Sequence, residues 1–125
     1  MKKLALVFVV IAMMISTSIL AQTDQVKTDF SIEMANGDIF KAVSEKILTD
    51  NFNKMDDDNF FLILNHGDNY IQAAYSEDGY VVEYNEDRVQ YSANKVLLQK
   101  ETLDLFKKYL NEDNNWKADV KWEKQ

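Results

Sequence analysis

The sequence predicts an α+β domain in which an antiparallel sheet, a β-meander plus N- and C-terminal strands, packs with two helices in the order β-α-β-β-β-β-α-β. Three observations carry that expectation. Between residues 60 and 93, short runs rich in aromatic and β-branched residues are separated by polar connections, two of them containing Gly. Two other segments space apolar residues three or four apart, as helices do. The stretch from Trp116 to Glu123 alternates apolar and charged side chains, as strands do.

In chain order, Phe30, Ile32 and Met34 alternate with Ser31 and Glu33, a short strand with one buried face. Asp38 is placed to cap a helix running to about Asn51, with Ile39, Val43 and Ile47 on one face. A rival reading pairs the flanks of Asn36-Gly37 as a hairpin. Asn53 to Asn59 is a polar, acidic loop, and the continuous run Phe60-Phe61-Leu62-Ile63-Leu64 reads as a strand covered on both faces. Tyr70–Tyr75, Tyr80–Tyr84 and Val89–Ala93 complete the meander.

Parity fixes the expected register. With Ser76–Gly79 as a loop, Tyr75 faces Tyr80, Ala73 faces Val82 and Ile71 faces Tyr84. With Asn85–Arg88 as the next loop, Tyr84 faces Val89 and Val82 faces Tyr91. One face then gathers the apolar side chains. The other collects Gln72, Glu83 and Gln90 in a row, with Arg88 diagonal to Glu83. A slip of one residue would scramble both sets. Leu103, Phe106 and Leu110 mark a second helix from about Lys100 to Asn111, with Leu98 and Leu103 positioned as a hydrophobic staple. Lys107 and Lys108 in its last turns suit the negative end of the helix dipole, whereas Glu112 and Asp113 just beyond do not. Trp116, Ala118, Val120 and Trp122 form the core-facing side of the closing strand.

Residues 1–21 have the layout of a secretory signal peptide: basic Met1-Lys2-Lys3, an apolar run from Leu4 to Ile15, and small residues up to Ala21. The apolar core falls short of the roughly 20 residues that cross a bilayer comfortably. Cleavage after Ala21 leaves a single domain of residues 22–125, exported to the periplasm or secreted, with no stable membrane anchor. Loss of Lys2 and Lys3 takes the formal charge from −7 to −9. No Cys lies near the cut, which excludes a lipoprotein anchor.

Composition narrows the chemistry. A hydrophobic fraction of 46% with 12% aromatics is globular and argues against a disordered tail. The negative charge disfavours nucleic acid as a partner. The absence of Cys removes disulfides, Cys-ligated zinc and a thiol nucleophile. His66 is the one imidazole; it reads either as a general base oriented by Asp68 or as a polar residue at a hairpin tip. There is no phosphate loop, no Gly-x-Ser-x-Gly and no pair of His at metal-ligand spacing. Asp56-Asp57-Asp58 lacks the alternate spacing of a calcium loop and reads as a solvated acidic loop. No metal or cofactor is therefore expected.

Glu83 stands out because it interrupts the apolar run Tyr80-Val81-Val82-Glu83-Tyr84. A buried, unpaired carboxylate costs several kcal/mol, so it must be exposed or hydrogen-bonded, with Gln72 and Arg88 the nearest expected partners. The row reads as a structural polar strip or as a recognition patch on an open sheet face. No second in-strand acid opposes Glu83, which disfavours glycoside hydrolysis. Trp116 and Trp122 read as core rather than as a sugar platform.

From Phe60 onward the pattern Phe60-Phe61-Leu62-Ile63-Leu64, Tyr70-Ile71-Gln72-Ala73-Ala74 and Gly79-Tyr80-Val81-Val82-Glu83-Tyr84 resembles small bacterial immunity proteins of polymorphic toxin systems. Leu105-Phe106, Tyr109-Leu110, Asp113, Trp116 and Trp122-Glu123 continue the resemblance. It implies a non-enzymatic role, binding and blocking a cognate toxin; the leader departs from the mostly cytoplasmic proteins of this look.

The function expected from the sequence is thus a small exported binding protein, of immunity type, for a basic protein partner. Acidic loops attract such a partner and speed encounter. The expected binding residues are Gln72, Glu83, Arg88 and Gln90 on the sheet, with Asp56, Asp57, Asp58, Glu77 and Asp78 in the loops. The alternatives are an envelope structural or ligand-binding domain without a toxin partner, and a hydrolase using Glu83.

Overall fold

Short hairpin connections join most of the neighbouring strands of the sheet. In a computed structural model, which describes residues 24–125, strands β1 (Phe30–Met34), β2 (Ile39–Phe40), β3 (Phe61–His66), β4 (Asn69–Ser76), β5 (Gly79–Glu86), β6 (Val89–Ala93) and β7 (Trp122–Lys124) form one sheet in the order β2-β1-β3-β4-β5-β6-β7. Every pairing is antiparallel. Helices α1 (Glu45–Phe52) and α2 (Gln99–Leu110) supply the second layer, so the class is α+β as the patterning implies. The expected leader, residues 1–21, lies outside the described residues.

The core lies on one face of the sheet. Ile32, Leu62, Leu64, Ile71, Ala73 and Val82 from the strands are fully buried with Leu48 and Phe52 of α1, Phe106 of α2, and Val43 and Leu97 from connections. The alternate side chains point to the face that no described helix covers. This corrects the expectation for β3: its two faces are not both covered. Leu62 and Leu64 are buried, Phe61 and Ile63 are half-buried, and Phe60, just outside the strand, is exposed. A continuous apolar run alone does not distinguish a sandwiched strand from one whose outer face is an apolar surface.

The first helix begins later than Asp38, and the hairpin reading is the one realised. Gly37 adopts φ +94°, and its N–H donates to the Met34 carbonyl at 3.0 Å, closing a turn between β1 and β2. Asp38 is engaged within that turn by Asn36 and caps nothing. Ser44 caps α1 instead, its hydroxyl accepting from the Ile47 N–H at 3.1 Å. Ile39 consequently leaves the presumed helical face and is exposed.

The β4–β5 register is as parity dictates: Tyr75 opposite Tyr80, Ala73 opposite Val82, Ile71 opposite Tyr84. The β5–β6 register differs by two residues. Tyr84 faces Tyr91, and the loop is only Asp87-Arg88, with φ +53° and +68°. Two successive positive φ values are the geometry of a tight two-residue hairpin turn, usually written with Asn or Gly. Asp-Arg hid that turn from the sequence. A shift of two leaves each side chain on its expected face but moves Ser92, not Gln90, opposite Glu83.

The C-terminal strand is also shorter than expected. Residues 114–119 are turns rather than strand; Asp113 accepts from the Trp116 and Asn115 N–H groups and breaks the extended run. The alternation of Trp116 to Trp122 still serves burial, because both rings pack on Tyr84. The Leu98–Leu103 staple is not formed as expected: Leu98 is exposed, and Leu97 enters the core by pairing its backbone with Tyr80. Glu101 reaches back to the Leu98 N–H at 3.2 Å and supplies half of a capping box.

Candidate functional site

The uncovered sheet face brings together most of the residues singled out in the sequence. Gln72 and Glu83 stand directly opposite each other on β4 and β5. Gln72 Nε2 donates to Glu83 Oε2 at 3.1 Å, and Gln90 Nε2 donates to the same oxygen from β6. Tyr70 extends the chain by donating its hydroxyl to Gln90 Oε1 at 3.3 Å. The half-buried carboxylate therefore has the donors that its place in an apolar strand requires. Arg88 is not among them. It is exposed in the β5–β6 turn, because β5 runs to Glu86 before reversing.

One cross-strand row holds Glu33, Ile63, Gln72, Glu83, Ser92 and Glu123. It carries three acids and no Lys or Arg. Toward the β4–β5 turn the face becomes apolar: Phe60, Phe61, Ile63, Ala74 and Val81 border a shallow hollow of about 250 Å³, with Gln72 and Glu83 at its polar side. Phe60 and Phe61 meet edge to face at 5.3 Å, which fixes two aromatic rings at the surface.

The acidic loops are positioned by the same topology. Asp56, Asp57 and Asp58 lead into Phe60, and the Tyr75 N–H bonds to the Phe60 carbonyl, so this loop lies at the sheet end that also carries Glu77 and Asp78. Asp56 Oδ1 accepts from the Asp58 and Asn59 N–H groups at 2.9 and 2.8 Å and shapes the loop. Asp57, Asp58, Glu77 and Asp78 are exposed. Five acids thus flank an exposed apolar patch, a juxtaposition of segments some twenty residues apart.

A second concavity, of about 320 Å³, lies at the opposite end of the sheet and was not evident from the sequence. Tyr84, Tyr109 and Trp116 form its aromatic wall, with edge contacts at 4.9 and 5.0 Å. Lys117 Nζ pairs with Glu86 at 2.5 Å and lies 5.1 Å from the Tyr84 ring centre and 5.5 Å from that of Trp116. Burial alone would lower the Lys117 ammonium, but the hydrogen bond to Glu86 and the neighbouring Tyr84 hold it above its usual value. His66 lines this groove, with its ring stacked on Phe30 and its Nε2 3.1 Å from Asp29, not beside Asp68. Nothing local in the sequence links residues 29 and 66; only the β1–β3 pairing does.

Tyr109 gives this end of the molecule an alkaline limit. Burial, reinforced by the Glu86 carboxylate, pushes its phenol up to about 12. In the unfolded chain tyrosine ionises near pH 10, roughly. Between those values the unfolded state gives up the proton more readily, so stability is intact below about pH 10 and falls as pH rises toward 12. Urea midpoints across that window should decline in the wild type, and Tyr109→Phe should reduce the decline. An equal decline in Tyr109→Phe would move the effect to Tyr80 and Tyr84, which burial also raises.

Comparison with models of protein families, with curated proteins and with solved structures finds no match to this chain.

Proposed function

We propose that this chain is a non-enzymatic binding protein, an exported inhibitor of immunity type, that docks a basic protein on its open sheet face. The observation that carries the reading is the apolar patch of exposed Phe60 and Val81 with half-buried Phe61 and Ile63, at the end of the sheet that carries Asp56–Asp58 and Glu77-Asp78. An apolar centre with a charged surround is how protein interfaces combine affinity with steering: buried aromatics supply the energy, and rim charges set encounter rate and partner sign. Engagement of Glu83 by two amides supports recognition over catalysis, since it holds the carboxylate in a fixed network.

The test is capture from an envelope extract followed by titration of the purified partner. The wild type should retain a basic protein whose affinity falls with salt. Val81→Glu, at an exposed position, should weaken binding roughly 5- to 100-fold, the range expected for a central contact. Joint replacement of Asp56, Asp57 and Asp58 by Asn should slow association and flatten the salt dependence. Binding indifferent to Val81→Glu would sink the proposed surface. A second reading, an envelope ligand-binding domain without a toxin partner, is favoured by the aromatic groove beside His66; it requires a small ligand whose binding is lost in Trp116→Ala and kept in Val81→Glu.

A further inference from the structure

Three donor atoms from distant parts of the chain converge beside the aromatic groove. His66 Nε2 lies 3.1 Å from Asp29 Oδ2 and 3.7 Å from Glu112 Oε1, and all three atoms lie within 4.8 Å of one another. Asp29 immediately precedes β1, His66 ends β3 and Glu112 follows α2. Phe30 holds the three together: it is buried, pairs with His66 across the β1–β3 ladder, stacks on the imidazole at 4.1 Å and meets Tyr109 of α2 edge-on at 6.1 Å.

The charges at this point do not balance. One imidazole nitrogen carries at most one proton, which bonds well to one acceptor, yet two carboxylates face it. Among the described residues, neither Asp29 nor Glu112 has a Lys or Arg within ion-pair distance. Glu112 is also costly where it stands: it sits beyond the negative end of α2 and takes φ +56°, a conformation that Gly or Asn adopts more cheaply. A divalent cation between the three atoms would satisfy both carboxylates and the nitrogen lone pair together. Metal–ligand bonds of about 2.0–2.2 Å in a tetrahedral arrangement place ligand atoms about 3.4 Å apart, close to the two separations from His66.

We propose that Asp29, His66 and Glu112 form a binding site for a first-row divalent cation of the zinc or manganese class. One nitrogen and two oxygens are a borderline donor set, softer than the all-oxygen surround preferred by calcium. Three protein ligands leave further coordination positions, and these face the groove that His66 and Glu112 line with Asn69 and Asp113. Water or an oxygen of a bound ligand completes the shell there. The site is at the far end of the sheet from the apolar patch and does not depend on the proposed docking surface.

The test is calorimetric titration of chelator-stripped protein with Zn2+, paired with thermal unfolding. The wild type should bind one equivalent saturably and melt at a higher temperature with the metal. His66→Phe keeps an aromatic ring over Phe30 but has no nitrogen, and Glu112→Gly removes a ligand while relieving the left-handed backbone. Each should weaken Zn2+ binding by about tenfold or more and lose the thermal shift. The metal-free Glu112→Gly protein should melt no lower than the wild type, which separates ligand loss from damage to the fold. If His66→Phe does not fold, Asp29→Asn takes its place. Absence of saturable binding in the wild type overturns the proposal. So does binding that survives both substitutions unchanged, since that would put the metal on other acids such as Asp56–Asp58.

Discussion

Gly79→Ala should destabilise the protein by about 2–4 kcal/mol, the range for a steric clash added to a forbidden backbone conformation. Gly79 opens β5 at φ +139°, a region that side chains rarely enter. A Cβ there would come within 2.4 Å of the Leu97 carbonyl oxygen and 2.9 Å of Val96 Cγ1. The oxygen is backbone and cannot swing aside. It also accepts from the Tyr80 N–H at 2.8 Å, while the Leu97 N–H donates to the Tyr80 carbonyl at 2.9 Å. Relief of the clash therefore breaks the bridge that ties the approach to α2 against β5 and holds Leu97 in the core. Gly37→Ala and Gly67→Ala are the controls. Both positions have positive φ, but a Cβ there meets nothing within 4 Å, so each should cost about 1 kcal/mol. Urea denaturation of the three variants checks the ranking; a Gly79→Ala midpoint equal to those of the controls would mean that the bridge yields freely.

Gly79 also illustrates how far local sequence carries. The Asp78-Gly79 pair identifies a turn, and the turn is there. What makes this Gly indispensable is a backbone from eighteen residues later, which no local pattern encodes. The same division runs through the fold. Alternation and spacing located β1, the meander and α2, and parity set the β4–β5 register, because those signals arise from a side chain's own neighbours and one buried face. Three features failed for the complementary reason. Ile39, Val43 and Ile47 keep helical spacing, yet Gly37 turns the chain and Ser44 competes as the cap. Asp87-Arg88 makes a tight turn without the residues that announce one. Trp116 to Trp122 alternates strictly, but Asp113 satisfies the backbone of a turn before the strand can extend.

The site divides similarly. That Glu83 needed a donor was legible from its apolar flanks, and Gln72 follows from the register. Gln90 reaches the carboxylate diagonally, since its own partner across the ladder is Asn85. Arg88 lost its place when β5 ran two residues farther than its apolar pattern suggested. The acidic loops were visible as composition, but their meeting beside Phe60 and Val81 is a product of topology. Least legible was the convergence of Asp29, His66 and Glu112, because each residue alone is an ordinary polar residue at the end of an element.

Phe52→Ala should cost about 3–5 kcal/mol, a large share of the roughly 5–15 kcal/mol that holds a domain of this size. Phe52 is fully buried at the end of α1, 4.9 Å from the Tyr80 ring and 6.0 Å from the Phe106 ring. Its ring meets both the sheet, at Tyr80, and α2, at Phe106, and shares the core with Leu48 of the same helix. Eight residues are too few for a helix to persist in water without such packing. The loss should therefore release α1 as a unit and, with it, the loop bearing Asp56–Asp58, which is tethered by the Met55 N–H bond to the Phe52 carbonyl at 3.2 Å. Trp116→Ala is the informative comparison. Trp116 contacts three rings to the two of Phe52, but it is half-buried at the groove, so its removal should cost less and leave that loop protected. Urea midpoints and limited proteolysis of the two variants distinguish the cases. Early cleavage between residues 53 and 59 in Phe52→Ala, with Trp116→Ala resistant there, is the expected pattern. The reverse order would mean that the acidic loop is held from the groove end of the sheet rather than through α1.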